Sequence, residues 1–374
     1  MSKKLFAIVA VLLVASLALS ACAQATPAPT QAAATTAAPT VAATTAAAET
    51  TQPAAKFKVC QVTDTGGIDD KSFNATAWKG VQDAIDQLGV DGKYLESKEV
   101  ADFEKNINAF LDEKCDIIIT VGFLLGDATK AAAEANPDVK FSIVDNTYDT
   151  VIPNVVSQAF QTDEASFLAG YLAAGMTKTG KVGTFGGMQI PTVTIFMDGF
   201  ARGVAYYNQA HNATVETLGW NADDQTGLFT NDFSDQQKGN DMAVSLMDEG
   251  ADIIMPVAGP VGLGAAAAVK SRGNASIIGV DSDWFLTAPD YQDIELTSVM
   301  KMMDVTTLQV IKDAMDGTFK GGSVVGTLAN GGVALAPFHN FDSQVPDSLK
   351  AELDQVKADI LSGTITLNPA FKQQ

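Results

Sequence analysis

The chain has 374 residues and carries 44 acidic against 24 basic side chains, a formal charge of -20 that argues against nucleic acid or anionic lipid held through a basic patch. Its 47% hydrophobic content, 31 glycines and mean hydropathy of +0.11 exclude a disordered chain, and the length favours two lobes over one simple core.

The first predicted element, residues 1–21, is an address. Lys3 and Lys4 precede an apolar run over 5–19, and Leu19-Ser20-Ala21-Cys22 follows: basic start, short hydrophobic stretch, small residues, cysteine. That order reads as a bacterial lipoprotein signal, the run being short for a membrane span and lacking a charged stop. Cys22 is then expected to carry acyl chains that hold the protein to the lipid bilayer outside the cytoplasm, since two or more chains anchor stably where one is marginal. Residues 22–56 form the lipid-anchored Cys and a flexible tether of Ala, Thr, Pro and Gln, in which Glu49 is the one charge before Lys56. Cys60 and Cys115 each lie in or beside an apolar strand-like segment and are read as buried small hydrophobes rather than as a disulfide.

From residue 57 short apolar runs alternate with amphipathic helices. Strands are expected at 57–63, 93–97, 116–121 and 140–144, with helices at 70–88, 102–114 and 126–135 between them. After a helix at 165–177 the series restarts, with strands at 181–185, 214–218, 252–257 and 276–280 and helices at 193–209, 235–249 and 262–271. Such alternation predicts parallel sheets covered on both faces. Beyond it come a strand at 296–300, a helix at 303–315, a Gly-rich extended stretch at 321–333 and a closing helix at 346–361.

The two series correspond. Lys58-Val59-Cys60 answers Lys181-Val182-Gly183, and Gly80-Val81 answers Gly203-Val204. Asp116 precedes Asp145 by 29 residues, and Asp252 precedes Asp281 by the same 29. The expected fold is therefore α/β with two doubly wound parallel-sheet lobes: residues 57–160 and 300–325 in lobe 1, residues 161–299 and 326–374 in lobe 2. Three segments, near Phe160, Ser298 and Gly326, would cross between them as a hinge. Asp145 and Asp281 then stand at the carboxyl ends of equivalent strands, where open α/β sheets bind ligands.

Several motifs lead nowhere. Gly175 to Lys181 matches a phosphate-binding Walker loop except for Val182, but a helix precedes it and a strand follows, the reverse of the required context. His211 and His339 each lack a second His or Cys at ligand spacing, so no metal, cofactor or histidine-based triad is expected. The acidic stretch 221–235 lacks the glycine of a calcium loop and reads as solvated.

The loop 62–74 is richer. It joins the first strand to the first helix at the cleft edge, and Asp70 or Ser72 can cap that helix. Phe73, one turn in, is either a core residue or a stacking platform.

The run Asp64-Thr-Gly-Gly-Ile-Asp-Asp-Lys-Ser-Phe73-Asn74, with Val257-Ala258-Gly259, Gly279-Val280-Asp281-Ser282-Asp283 and Thr297-Ser298-Val299-Met300-Lys301, resembles the basic membrane protein family. These are substrate-binding lipoproteins of ABC importers, among them the purine nucleoside receptors. The resemblance extends from residue 57 to the closing helix and implies a type I periplasmic-binding-protein fold, no enzymatic activity, and as partners a permease with its ATPase subunit. It further implies that Phe73 and Phe233 stack a base, with Phe196 a rival to Phe233 although its i, i+4 spacing to Phe200 fits a core pair. Asp145, Asp281, Lys301 and the backbone at Gly259 would hold ribose hydroxyls, and Asp64 and Asn74 would read the base edge. Gly259-Pro260-Val261 departs from the family's small, polar continuation.

The residues alone leave two function classes open. One is a receptor for a nucleoside, with a sugar, riboflavin or another vitamin as the alternative ligand. The other is a surface hydrolase of nucleosides or sugars using Asp145 and Asp281 as acid and base.

Overall fold

The computed structural model describes residues 55–367. The signal, Cys22 and the tether up to residue 54 lie outside them. Elements numbered in chain order begin with β1 (Lys58–Val62), α1 (Phe73–Leu88), β2 (Asp91–Leu95), α2 (Asp102–Asp112), β3 (Ile117–Val121), α3 (Gly126–Ala135), β4 (Lys140–Val144) and β5 (Val155–Phe160). There follow α4 (Thr162–Met176), β6 (Lys181–Gly186), α5 (Pro191–His211), β7 (Glu216–Leu218), β8 (Trp220–Asn221), β9 (Thr226–Gly227), α6 (Gln236–Asp248), β10 (Ile253–Val257), α7 (Val261–Arg272) and β11 (Ser276–Asp281). The chain closes with α8 (Trp284–Thr287), β12 (Glu295–Lys301), α9 (Met303–Asp316), β13 (Gly322–Gly326), β14 (Val333–Leu335) and α10 (Asp347–Leu361).

Two six-stranded sheets result, ordered β13-β5-β4-β3-β1-β2 in lobe 1 and β14-β12-β11-β10-β6-β7 in lobe 2. All pairings in the first are parallel; in the second only β14 runs against its neighbour. This is the type I periplasmic-binding-protein arrangement. Each central strand is apolar on both sides because both faces are covered. On β3, Ile117 and Ile119 face the core shared with α1 and α9, while Ile118 faces Phe103, Ile107 and Phe110 of α2.

The crossings are symmetric. β5 leads into α4, which packs in lobe 2 against α5; β12 leads into α9, which packs in lobe 1 against α1. Glycine makes each approach possible. A Cβ on Gly80 would collide with the Asp304 carbonyl of α9, and one on Gly203 with the Phe167 carbonyl of α4. The second crossing falls at Met302, past Lys301, rather than near Ser298: Ser298 lies inside β12, where its hydroxyl bonds Glu295 and accepts from the Trp284 backbone N–H.

The cysteine expectation is corrected. Cys60 and Cys115 are joined by a disulfide, their Cα atoms 6.1 Å apart. The reason lies in strand order: β1 sits beside β3, with Val59 opposite Ile117, so the residue after Val59 and the residue two before Ile117 reach the same spot. The Walker-like stretch is closed by a carboxylate. Asp252 accepts from the Thr177 hydroxyl at 2.5 Å and from the backbone N–H groups of Lys178 and Thr179 at 2.6 and 3.0 Å.

Candidate functional site

β4 and β11 occupy the same place in their sheets, and the aspartate at the carboxyl end of each, just past β4 and last on β11, has the same unusual backbone: Asp145 at φ 65° and Asp281 at φ 70°. A side chain other than glycine costs about 1–2 kcal/mol there and persists where the surroundings fix it. Both carboxylates are buried. Lys301, last on β12, is brought beside Asp281 by a register that sets Asp281 opposite Met300. Its ammonium lies 2.5 Å from Asp145 Oδ2 and 3.7 Å from Asp281 Oδ1, so two carboxylates from two lobes share one buried cation. Burial pushes the Asp281 carboxyl up to about 6 against the pull of Lys301. It raises Asp145 as well, again opposed by Lys301. Three rings surround the ammonium, Phe73 at 4.8 Å to the centroid, Phe160 at 5.3 Å and Phe196 at 5.7 Å.

The loop after β1 is organised by Asp70. Its carboxylate accepts from the backbone N–H groups of Ser72, Asn74 and Ala75 at 3.0, 2.7 and 3.0 Å, satisfying donors that the first turn of α1 leaves free. The helix consequently starts at Phe73, three residues later than expected. Ser72 does not cap; its hydroxyl points to lobe 2. Asn74 donates through Nδ2 to Asp64 Oδ1 at 2.7 Å and to Asp70 Oδ2 at 3.1 Å, which fixes the amide's orientation. Gly66 N–H adds a bond to Asp64 Oδ1 at 2.9 Å. Burial raises Asp64 above the usual carboxylate range and takes Asp70 to about 7. Phe73 is half-buried, packed on the core yet bordering the cleft, so it partly meets both readings.

Lobe 2 contributes Phe233. A bridge between Gly186 and Phe229 carries the chain from β9 back along the end of β6, and a Cβ on Gly187 would collide with the Phe233 ring. Asp232 stiffens the turn by accepting from the Ser234 and Asp235 N–H groups at 2.7 and 3.1 Å. Gly259, at φ 54°, presents its backbone nearby.

These groups line one cleft between the lobes, whose empty space, counted out into open solvent, is about 590 Å³. It gathers all eight residues singled out in the sequence: Asp64, Phe73, Asn74, Asp145, Phe233, Gly259, Asp281 and Lys301. It also takes in Phe123, Ile190, Thr192 and Phe196, which sequence reasoning had passed over or set aside. For Phe196 a signal existed. Lys58 and Lys181, like Gly80 and Gly203, are 123 residues apart, and the same interval carries Phe73 to Phe196. The i, i+4 partner Phe200 is indeed core, fully buried, but Phe196 reaches the cleft wall. Phe123 follows β3 as Gly259 follows β10, so the repeat pointed there too. Among the described residues no three His, Cys, Asp or Glu side chains gather as a metal site, and no helix is long and apolar enough to cross a membrane.

Residues 57–368 match the family described as ABC transporter substrate-binding protein PnrA-like. A protein of Listeria monocytogenes named CD4+ T-cell-stimulating antigen is 34% identical over 83% of this chain and 87% of its own. The ABC transporter nucleoside-binding protein BmpA of Lactococcus lactis is 33% identical over 83% of this chain and 88% of its own. Among solved structures, a solute-binding protein of an ABC transporter system from Aeropyrum pernix superposes with a TM-score of 0.76 at 27% identity, covering 85% of this chain and 94% of that one.

Proposed function

The chain belongs to the PnrA-like family of ABC transporter substrate-binding proteins, and from that premise we propose that it captures an unphosphorylated nucleoside, a purine nucleoside first of all, and hands it to a membrane permease driven by an ATPase subunit. One observation carries the reading: a buried lysine joins carboxylates from both lobes at the floor of a cleft whose walls hold phenyl rings. Carboxylates of this kind accept from vicinal hydroxyls in bonds worth about 1.5–3 kcal/mol each, which suits a ribose on Asp145, Asp281 and Lys301, with the Gly259 backbone beside them. Phe73 and Phe233 take the two faces of the base, each stacking worth about 1–3 kcal/mol. Asp64 and Asn74 read its edge.

The reaction is capture, not catalysis. A carboxylate pair clamped by one ammonium is poorly placed to exchange protons with a substrate, and the relative from L. lactis is named a binding protein. An acyl anchor on Cys22 and the tether behind it keep the lobes outside the membrane, next to the permease. A 5′-phosphate is disfavoured, because the cleft already holds Asp64, Asp70, Asp145 and Asp281 against Lys301 alone.

Calorimetry on protein stripped of copurified small molecules tests the ligand, with guanosine, inosine, adenosine, ribose, riboflavin and guanosine monophosphate as probes. Nucleosides should bind and the monophosphate should not, while Asp145→Asn or Asp281→Asn should weaken guanosine roughly ten- to a hundredfold. Tight binding of ribose or riboflavin with none of any nucleoside overturns the assignment.

A further inference from the structure

We propose that Ser72 and Ser282 form a reciprocal hydroxyl clasp that locks the two lobes together and positions Asp281 in the cleft. Ser72 belongs to lobe 1, and its Oγ lies 2.9 Å from the Val280 carbonyl and 3.1 Å from Asp281 Oδ2, both in lobe 2. Ser282 belongs to lobe 2 and donates its hydroxyl to the Lys71 carbonyl of lobe 1 at 2.9 Å, with Thr287 Oγ1 supporting it at 3.0 Å. Each turn therefore sends one hydroxyl into the other. Both serines are buried, at 1% and 8% exposure, and neither lines the cleft, so they act on the ligand only through Asp281 and through closure.

The turns are shaped for this contact. Lys71 at φ 59° and Asp281 at φ 70° both hold the left-handed backbone that side chains other than glycine resist, and each stands next to a clasp serine. The backbone of each serine is held by its own loop: Asp70 Oδ1 accepts from Ser72 N–H at 3.0 Å, and Val280 O accepts from Ser282 N–H at 2.9 Å. The single Ser72 proton is shared between two acceptors. By engaging Asp281 Oδ2 it leaves Oδ1 turned toward Lys301 at 3.7 Å. Opening the lobes breaks all three contacts at once, which makes the clasp a device for residence time rather than for encounter.

This inference uses the nucleoside reading only for its kinetic probe, and the decisive measurement is independent of it. Hydrogen–deuterium exchange is followed in wild type, Ser72→Ala and Ser282→Ala, as purified and with guanosine added. Ser72→Ala should speed exchange at residues 282–286 across the interface, and Ser282→Ala should speed it at 71–75, with the rest of each lobe unchanged. Stopped-flow dissociation of guanosine should quicken roughly two- to tenfold in each variant while association stays the same, the size of one hydroxyl hydrogen bond. Loosening confined to the mutated turn, or no change in either variant, overturns the clasp. Should guanosine fail to bind wild type, the nucleoside reading falls, and the cross-lobe exchange still decides the clasp.

Discussion

The two lobes share five strands in the same order, β2-β1-β3-β4-β5 and β7-β6-β10-β11-β12, yet differ at three matched places. The sixth strand is parallel in lobe 1 and antiparallel in lobe 2. The disulfide of lobe 1, Cys60 to Cys115, has as its counterpart Gly183 beside Ala251, where a Cβ on the glycine would stand 3.5 Å from the alanine methyl. The last residue of the fifth strand is Phe160 in one lobe and Lys301 in the other, and these counterparts touch, cation over ring, at 5.3 Å. Duplication supplied two matched aspartates with matched backbone. The chemistry that makes the pair useful stands where the copies diverge, in a lysine that only one lobe carries at that position.

Removing that difference should have the largest effect. Lys301→Met leaves Asp145 and Asp281 buried without a cation, and breaking such a pair costs about 3–5 kcal/mol. Urea unfolding should register that loss at pH 8 and a smaller one at pH 5, where the carboxyls take up protons. Equal losses at the two pH values would show that the lysine acts through packing alone.

Making lobe 1 resemble lobe 2 at the cysteines is the next step down. The Cys60→Ala, Cys115→Ala double variant opens a loop of 55 residues and should lose about 2–4 kcal/mol in chemical denaturation. A loss below about 1 kcal/mol would mean that β1 and β3 need the bond no more than β6 and β10 do.

The last contrast is in pH, where stability and affinity should move in opposite directions. Burial raises the carboxyls of Asp70, Asp163 and Glu295 to about 7 and of Asp281 to about 6. The folded protein therefore binds more protons than the unfolded chain between about pH 4 and 7. Their contribution is complete below the unfolded values and is lost as pH rises through the folded ones, so the ligand-free melting temperature should climb from pH 8 to pH 5. Guanosine affinity should fall over the lower part of that range as Asp281 loses its charge. Calorimetric scans with titrations at the same pH values check both, and affinity that rises on acidification would separate Asp281 from the ligand.

Much of this was legible from spacing. The 29-residue interval placed Asp145 and Asp281 on matched strands, and the Asp64 to Asn74 run marked the cleft edge. β5 was not recognised as a strand because its centre, Ser157-Gln158, is polar; only the fold shows Gln158 buried, donating to Ser142 and accepting from Thr306 and Thr307 of the crossing helix. The disulfide needed strand order, which hydropathy does not carry. Phe196 was set aside on helical periodicity, a local rule, when the longer repeat matched it to Phe73.

The crossed connections also fix a timetable. β13 completes the sheet of lobe 1 by pairing Gly322 with Val156, and between those residues lie five of the six strands of the other lobe's sheet. A chain synthesised from its N-terminus begins lobe 1 first, yet leaves β5 as a bare edge until residue 326 exists, and bare edges invite pairing with other chains. The contacts that close the sheet are also among the most distant in sequence, the kind that form slowly. Neither lobe is a detachable part: a fragment ending at Asp316 would contain every residue of β1 to β5 and still present an unfinished surface.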